Sequence, residues 1–382
     1  MLTQDITCVR HGATRQRDPQ LAAAELREAL YHPDAALTLF FCSPSYPLPE
    51  LGAAMRDAFP GTPLIGCTTA GEIGPFGYVK GAISGVTFAE PDFHVASMRI
   101  DDIEDLPMYK AEQLARDIVG ALRERGLEPN GRNTFGFLLV DGLSNQEEVL
   151  VSSLFGQLGD IQLFGGSAGD NVDFQKTEIF HDGRFHQRSA VFSLIHTTRP
   201  FTLFKTEHFV ATEKKLIVTE ADPARRLVTE INGESAAREY ARIMGVDLAR
   251  LAPTVFATHP VVVRVGGSNY VRSVMKVNED ESINFACAID EGIVLSLAEP
   301  VDLIDNLNHL FSDIQTRIGE PELILGCDCL FRAIEMEQNG IKEAVGQIFA
   351  EHNMIGFSTY GEQYNAMHVN QTLTGVAIGH AR

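Results

Sequence analysis

Three carboxylates close three near-copies of one short segment. Glu72 ends LIGCTTAGE (64–72), Asp170 ends LFGGSAGD (163–170) and Glu362 ends MIGFSTYGE (354–362). Each copy is an apolar run, a small hydroxylated turn, a glycine and the acid. Gly71, Gly169 and Gly361 permit positive φ and let a ligand approach the backbone. The acids, with Asn171 and Tyr360 beside them, offer a ligand pocket or a general base at a strand exit. The plainer reading is a tight turn whose carboxylate bonds its own amides. Of twelve histidines, His208, His259 and His368 stand where strand meets loop among apolar neighbours. An imidazole there could ligate a haem iron or be an ordinary satisfied histidine. Arg272, with Tyr270 on the same apolar strand, could pair a ligand carboxylate or answer a buried acid.

Recognised catalytic patterns are missing. There is no G-x-S-x-G elbow, H-E-x-x-H pair, Walker loop or G-x-G-x-x-G after a strand. Arg10-His11-Gly12 resembles the opening of a phosphohistidine site, but the second His-Gly turn is lacking, so Arg10 to Gly12 is expected to be a loop. The chain is therefore not expected to be an enzyme.

The turns must be positioned by what precedes them. Apolar runs begin at Leu37, Phe135 and Glu322; Thr38 to Gly66, Phe137 to Gly165 and Ile324 to Gly356 span 28, 28 and 32 residues. Leu51/Met55/Phe59, Leu150/Leu154/Leu158 and Ile341/Val345/Ile348 put an amphipathic helix in each interval. Three βαβ units result, with their turns at one sheet edge, where ligands of open α/β sheets bind. The expected fold is α/β: mixed sheets of βαβ-plus-hairpin units, helices outside, and two related halves.

The chain has 382 residues, 45% hydrophobic, and a formal charge of −20. That balance disfavours nucleic acid and anionic membrane as partners. No signal-peptide core or membrane-length apolar run is present, so a cytoplasmic location is expected. The six cysteines form no C-x-x-C pair and are read as buried apolar residues; Cys327 and Cys329 share a strand face.

Asp18-Pro19 should start a helix, and a helix from Lys110 should end at Gly126. GAISGVTFAE and FHVASMRI read as a hairpin. Asn145 should cap a helix. Asp182-Gly183 and Asn232-Gly233 should make tight turns, and VVVRVGG, YVRSVMKVN and INFACAI a meander. A polar stretch at Ala211 to Lys215 divides the chain into 1–212 and 213–382.

LIGCTTAGEI, LVDGLSNQEEVL, LFGGSAGDN, LVTEINGESAAREYARIMG, YVRSV, IGFSTYGEQ and NQTLTGVAIG, in this order, resemble the FIST family of sensory proteins from about Ala13 onward. The resemblance implies an N-terminal and a C-terminal FIST domain and a small ligand such as an amino acid. Stand-alone bacterial members imply haem b, nitric oxide, and output through a partner histidine kinase or cyclic-di-GMP enzyme. No kinase, cyclase or methyl-accepting segment is attached, so a separate partner is expected, and a homo-oligomer is compatible. The expected function is a cytoplasmic haem sensor of nitric oxide. The alternatives are a haem-free sensor holding an organic ligand by Arg272 and the turn acids, and a carboxylate-based hydrolase. The ligand site is expected near the repeated turns and the interface between the halves.

Overall fold

The structure is a computed structural model that describes residues 7–265 and 267–381. Residues 1–6, part of the terminus read as lacking a signal peptide, Gly266 of VVVRVGG, and Arg382 lie outside the described residues.

The chain folds as three copies of one strand–helix–strand–helix–strand–hairpin–strand unit. The first comprises β1 (Val9–Thr14), α1 (Pro19–Leu30), β2 (Ala35–Cys42), α2 (Leu48–Ala58), β3 (Leu64–Thr68), the hairpin β4 (Glu72–Gly74) and β5 (Gly77–Val79), and β6 (Ile83–Ala89). The second repeats this as β7 (Phe93–Ile100), α3 (Met108–Glu124), β8 (Thr134–Val140), α4 (Glu147–Phe155), β9 (Gln162–Ser167), β10 (Ile179–His181), β11 (Arg184–His186) and β12 (Ala190–Thr197). The third opens with β13 (Phe201–Thr206) and is then interrupted by an insertion. This runs through β14 (Phe209–Asp222), β15 (Leu227–Ile231), β16 (Glu234–Ser235), α5 (Ala236–Met244), α6 (Pro253–Thr258), β17 (Val261–Val265), β18 (Ser268–Arg272), β19 (Val274–Val277), β20 (Ile283–Phe285) and β21 (Val294–Pro300). The third unit then resumes as α7 (Leu303–Ile318), β22 (Pro321–Cys329), α8 (Leu330–Gln338), α9 (Lys342–Glu351), β23 (Met354–Thr359), β24 (Glu362–Tyr364), β25 (Met367–Val369) and β26 (Leu373–Gly379). Two helices in the third interval account for its greater length.

The sheets exchange hairpins in a ring. Their orders are β1-β6-β2-β3-β10-β11, β7-β12-β8-β9-β24-β25 and β13-β26-β22-β23-β4-β5. Each unit thus supplies four strands to its own sheet and a hairpin to another, and the first closes onto the third. In every sheet the two strands flanking the βαβ helix run parallel. The inner faces of all three sheets meet in one core, where Phe41 of the first stacks on Phe357 of the third at 4.5 Å. The helices cover the outer faces by matching stripes: α3 buries Ala111, Ala115, Ile118 and Leu122, and α7 buries Leu303, Leu307, Phe311 and Ile314. Among the described residues no helix is long and apolar enough to cross a membrane.

The insertion carries an eight-stranded sheet, along which the order is β18-β17-β21-β14-β15-β20-β19 with β16 beside β15. It has its own core, into which the body sends Cys329 and Phe331.

Several local expectations are met. Asp18 caps α1 through the amides of Gln20 and Leu21, Gly126 follows α3 at φ 77°, and the Asp182-Gly183 and Asn232-Gly233 turns have positive φ at both residues. Others are corrected. Arg10 to Gly12 lie in β1, paired along β6, because β6 offers a free edge there. The runs read as a hairpin separate, since β6 is flanked by β1 and β2 and β7 joins β12 in the second sheet. The expected meander is split, with β18 and β19 at opposite sheet edges. Asn145 takes φ 55° and Gln146 precedes α4 without a side-chain cap. Five of the six cysteines are buried, and Cys8 partly so; all are free thiols.

Candidate functional site

The repeated turns hold one another. Ala70 and Gly71 exchange backbone hydrogen bonds with Ser358 (2.9 and 2.7 Å), Gly169 and Asn171 donate to Thr68 and Thr69 (3.0 and 3.2 Å), and Gly361 and Tyr360 exchange bonds with Ser167 (2.8 and 3.2 Å). Of the three turn glycines only Gly71 has positive φ. The others are needed for space: a Cβ on Gly169 would lie 2.9 Å from the Ala70 nitrogen, and one on Gly361 would collide with the His368 ring.

The turn acids spend their lone pairs on these loops. Glu72, 1% exposed, accepts from the Thr69 hydroxyl at 2.5 Å and the Ala82 amide at 2.9 Å. Glu362, fully buried, accepts from the Thr359 hydroxyl and from the amide and hydroxyl of Thr372. Burial pushes Glu72 up to about 7 and Glu362 up to about 8. Asp170 differs. It caps a loop by accepting from the amides of Phe174, Gln175 and Lys176 at 2.7–2.8 Å and from the Tyr360 hydroxyl. In sheet register the counterpart of Glu72 and Glu362 is Ile179, opposite Cys67. The second repeat is braced instead by Asp141, which accepts from the amides of Leu143 and Arg188 and from the Thr177 hydroxyl. Sequence reading missed Asp141, although an acid directly after the FGFLLV strand marked it.

The histidines are dispersed. His208 is fully buried between Arg332 and Glu335: Arg332 Nη1 donates to Nδ1 at 2.8 Å, so Nε2 carries the proton given to Glu335 at 2.7 Å. Burial depresses its basicity, and it is held as a neutral ring with both nitrogens engaged. His259 ends α6 with Nδ1 on the Thr258 hydroxyl. His368 lies with its ring nitrogens 3.3 Å from Gln363 Nε2 and 3.4 Å from the Ala286 carbonyl. None of the three lines the cleft described next, and His208 would have to leave both partners to bind iron, so His208 does not fit an axial haem ligand. Among the described residues no group of three or more His, Cys, Asp and Glu gathers as a metal site. Arg272 and Tyr270 lie on β18, half-buried, with Lys205 over the Tyr270 ring at 5.4 Å.

A cleft of about 390 Å³ opens where the body meets the insertion. The body contributes Leu143, Phe174, Phe331 and Tyr360, with Phe174 stacked on Tyr360 at 4.5 Å; the insertion contributes Arg226, Lys276, Phe285 and Ala286. Arg226 crosses the seam to Glu147 and Glu148 at 2.6 and 2.5 Å and donates to the Ala286 carbonyl at 3.2 Å. Of the expected pocket residues only Tyr360 lines this cleft. On and beside β18, β24 and β25, where β18 packs on β25, buried polar atoms lack partners: Arg272 Nε, Ser273 Oγ, Gln363 Oε1, Gln371 Oε1, and both Oδ1 and Nδ2 of Asn370. Unpaired buried polar atoms are rare, and each calls for a partner such as an ordered water or a ligand group.

Three hairpin-exchanged repeats with one insertion over one set of turns define an α/β scaffold. The FIST N domain model matches residues 36–234 and the FIST C domain model residues 236–365. The first alone covers more than half of the chain, which belongs to the FIST family. FIST domains are associated with the sensing of small ligands in signal transduction. Among solved structures the chain is similar to a cyanuric acid hydrolase from A. caulinodans, at TM-score 0.38 and 8% identity over 98% of this chain and 99% of that one. Another cyanuric acid hydrolase, described as an evolutionary innovation by structural concatenation, aligns at TM-score 0.36 and 9% identity over 97% and 99%. Likenesses this remote carry no functional argument. No curated protein matches the chain.

Proposed function

We propose that this FIST protein is a sensor that takes a small organic ligand, an amino acid being one candidate, into the seam between body and insertion. The observation that carries the reading is the aromatic-lined cleft backed by unpaired buried polar atoms contributed from both sides. A ligand bridging those sides stabilises one arrangement of the insertion over another, and that difference is what a separate partner, such as a histidine kinase or cyclic-di-GMP enzyme, would read. Haem b with nitric oxide is the second reading, implied by the family resemblance. It requires His368 to exchange its contacts with Gln363 and Ala286 for iron.

The test is a thermal-shift screen of amino acids, organic acids and amides on the full chain, beside absorption spectra with added haemin. A ligand at 100 times its Kd adds about 2.7 kcal/mol, and the shift should vanish in Phe174→Ala. A stoichiometric Soret band, shifted by nitric oxide and lost in His368→Ala, would favour haem. No stabilising ligand and no band would sink the sensor reading.

A further inference from the structure

Asn370 is fully buried, yet neither end of its carboxamide has a partner. Its surroundings belong to the seam. His368 points Nε2 at the Ala286 carbonyl, Gln371 Nε2 donates to the Phe256 carbonyl at 3.0 Å, and Ala286 and Phe256 both belong to the insertion. On the body side a Cβ on Gly361 would stand 3.1 Å from Asn370 Nδ2, so the glycine of the third turn leaves this amide its room. Gly361 follows Tyr360, which lines the cleft, and Ala286 lines it too.

We infer that the Asn370 carboxamide recognises the adjacent donor and acceptor of a neutral, planar amide or nitrogen heterocycle. This rests on the reading of the seam as a small-ligand site. A carboxamide offers one N–H edge and one carbonyl edge side by side, and a lactam or amide edge pairs with both at once. A carboxylate would satisfy only Nδ2 and leave Oδ1 unpaired. An ammonium group would meet Oδ1 but leave Nδ2 unpaired. The remaining unpaired acceptors, Gln363 Oε1 and Gln371 Oε1, suit further N–H groups; the unpaired donors on Arg272 and Ser273 suit a carbonyl. The Phe174–Tyr360 stack at the mouth suits a flat ring.

The experiment is titration calorimetry on the full chain with uracil, nicotinamide, adenine and acetamide, and with glycine and acetate as charged controls. At least one amide or heterocycle should bind. For a uracil-type ligand, 1,3-dimethyluracil should bind at least tenfold more weakly. Asn370→Leu, uncharged and close in volume, should lose at least tenfold in affinity while keeping the melting temperature of the ligand-free protein. Methylation of the probe tests the same edge on unaltered protein if the variant folds poorly. Equal binding of the dimethylated probe, unchanged affinity in a folded Asn370→Leu protein, or binding of glycine or acetate but none of the four neutral probes overturns the ligand class and leaves the sensor reading standing. No binding by any compound, here or in the wider screen, removes both.

Discussion

Replacing Glu362 by Gln should flatten the pH dependence of stability. Glu362 is enclosed between Thr359 and Thr372, and burial raises it from an ordinary 4.5 to about 8. An acid raised in the folded state must take up a proton on folding. Its contribution is therefore fully present below pH 4.5, is eroded as pH rises, and is lost once pH has passed about 8. At 1.36 kcal/mol per pH unit this is a loss of about 3 kcal/mol by pH 7, of which about 2 kcal/mol falls between pH 5 and 7. A glutamine carbonyl still accepts from Thr372 and its amide can donate to Thr359, so Glu362→Gln keeps the packing and removes the titration. Urea unfolding at pH 5, 6, 7 and 8 gives the two profiles, and their difference isolates this one group. Glu72, raised to about 7 by burial, predicts a parallel result in Glu72→Gln. A Glu362→Gln profile with the wild-type slope across this window would refute the assignment of a buried, protonated acid.

Arg226→Met leaves Glu147, 2% exposed, without its cation at the seam; a loss of about 3–5 kcal/mol and faster proteolysis between body and insertion are expected. Gly356→Ala drives a methyl into the Gly326 carbonyl and should abolish soluble expression, whereas Gly120→Ala, on α3 with nothing within 4 Å, should stabilise by about 0.5–1 kcal/mol. In Asp170→Ala the amides of Phe174, Gln175 and Lys176 lose their acceptor, and hydrogen exchange there should accelerate with little change elsewhere.

The three βαβ units were legible because their buried strands read as apolar runs and their turns share a glycine and an acid. What the local pattern could not show is which sheet each hairpin joins. Glu72 and Ile73 of the β4–β5 hairpin pair with β23, nearly three hundred positions away, through ordinary backbone hydrogen bonds that leave no side-chain signature. The match of Asp170 with Glu72 and Glu362 was misleading for a related reason: the second repeat carries an extra loop before Ile179, which shifts the acid out of register and gives the bracing role to Asp141. The bland reading of the turns as self-bonded loops describes all three acids. Asn370 and Gln371 could not be singled out from sequence, since NQ before a strand usually marks an exposed turn. Arg332, fully buried against Asp328 and His208, was likewise hidden among the charged residues of a helix.

The ring of exchanged hairpins also governs how the chain can be assembled. The first sheet is completed when residues 179–186 emerge, but the second needs 362–369, and the third needs its own last strand, 373–379. Until then the growing polypeptide displays bare strand edges, of the kind that recruit other chains. A fragment ending near residue 212 would keep the β4–β5 hairpin with no sheet to receive it and leave the edge of β9 open. Translation must therefore run nearly to its end before the second and third sheets close, and a chaperone that shields edges in the interval would raise the yield of native protein.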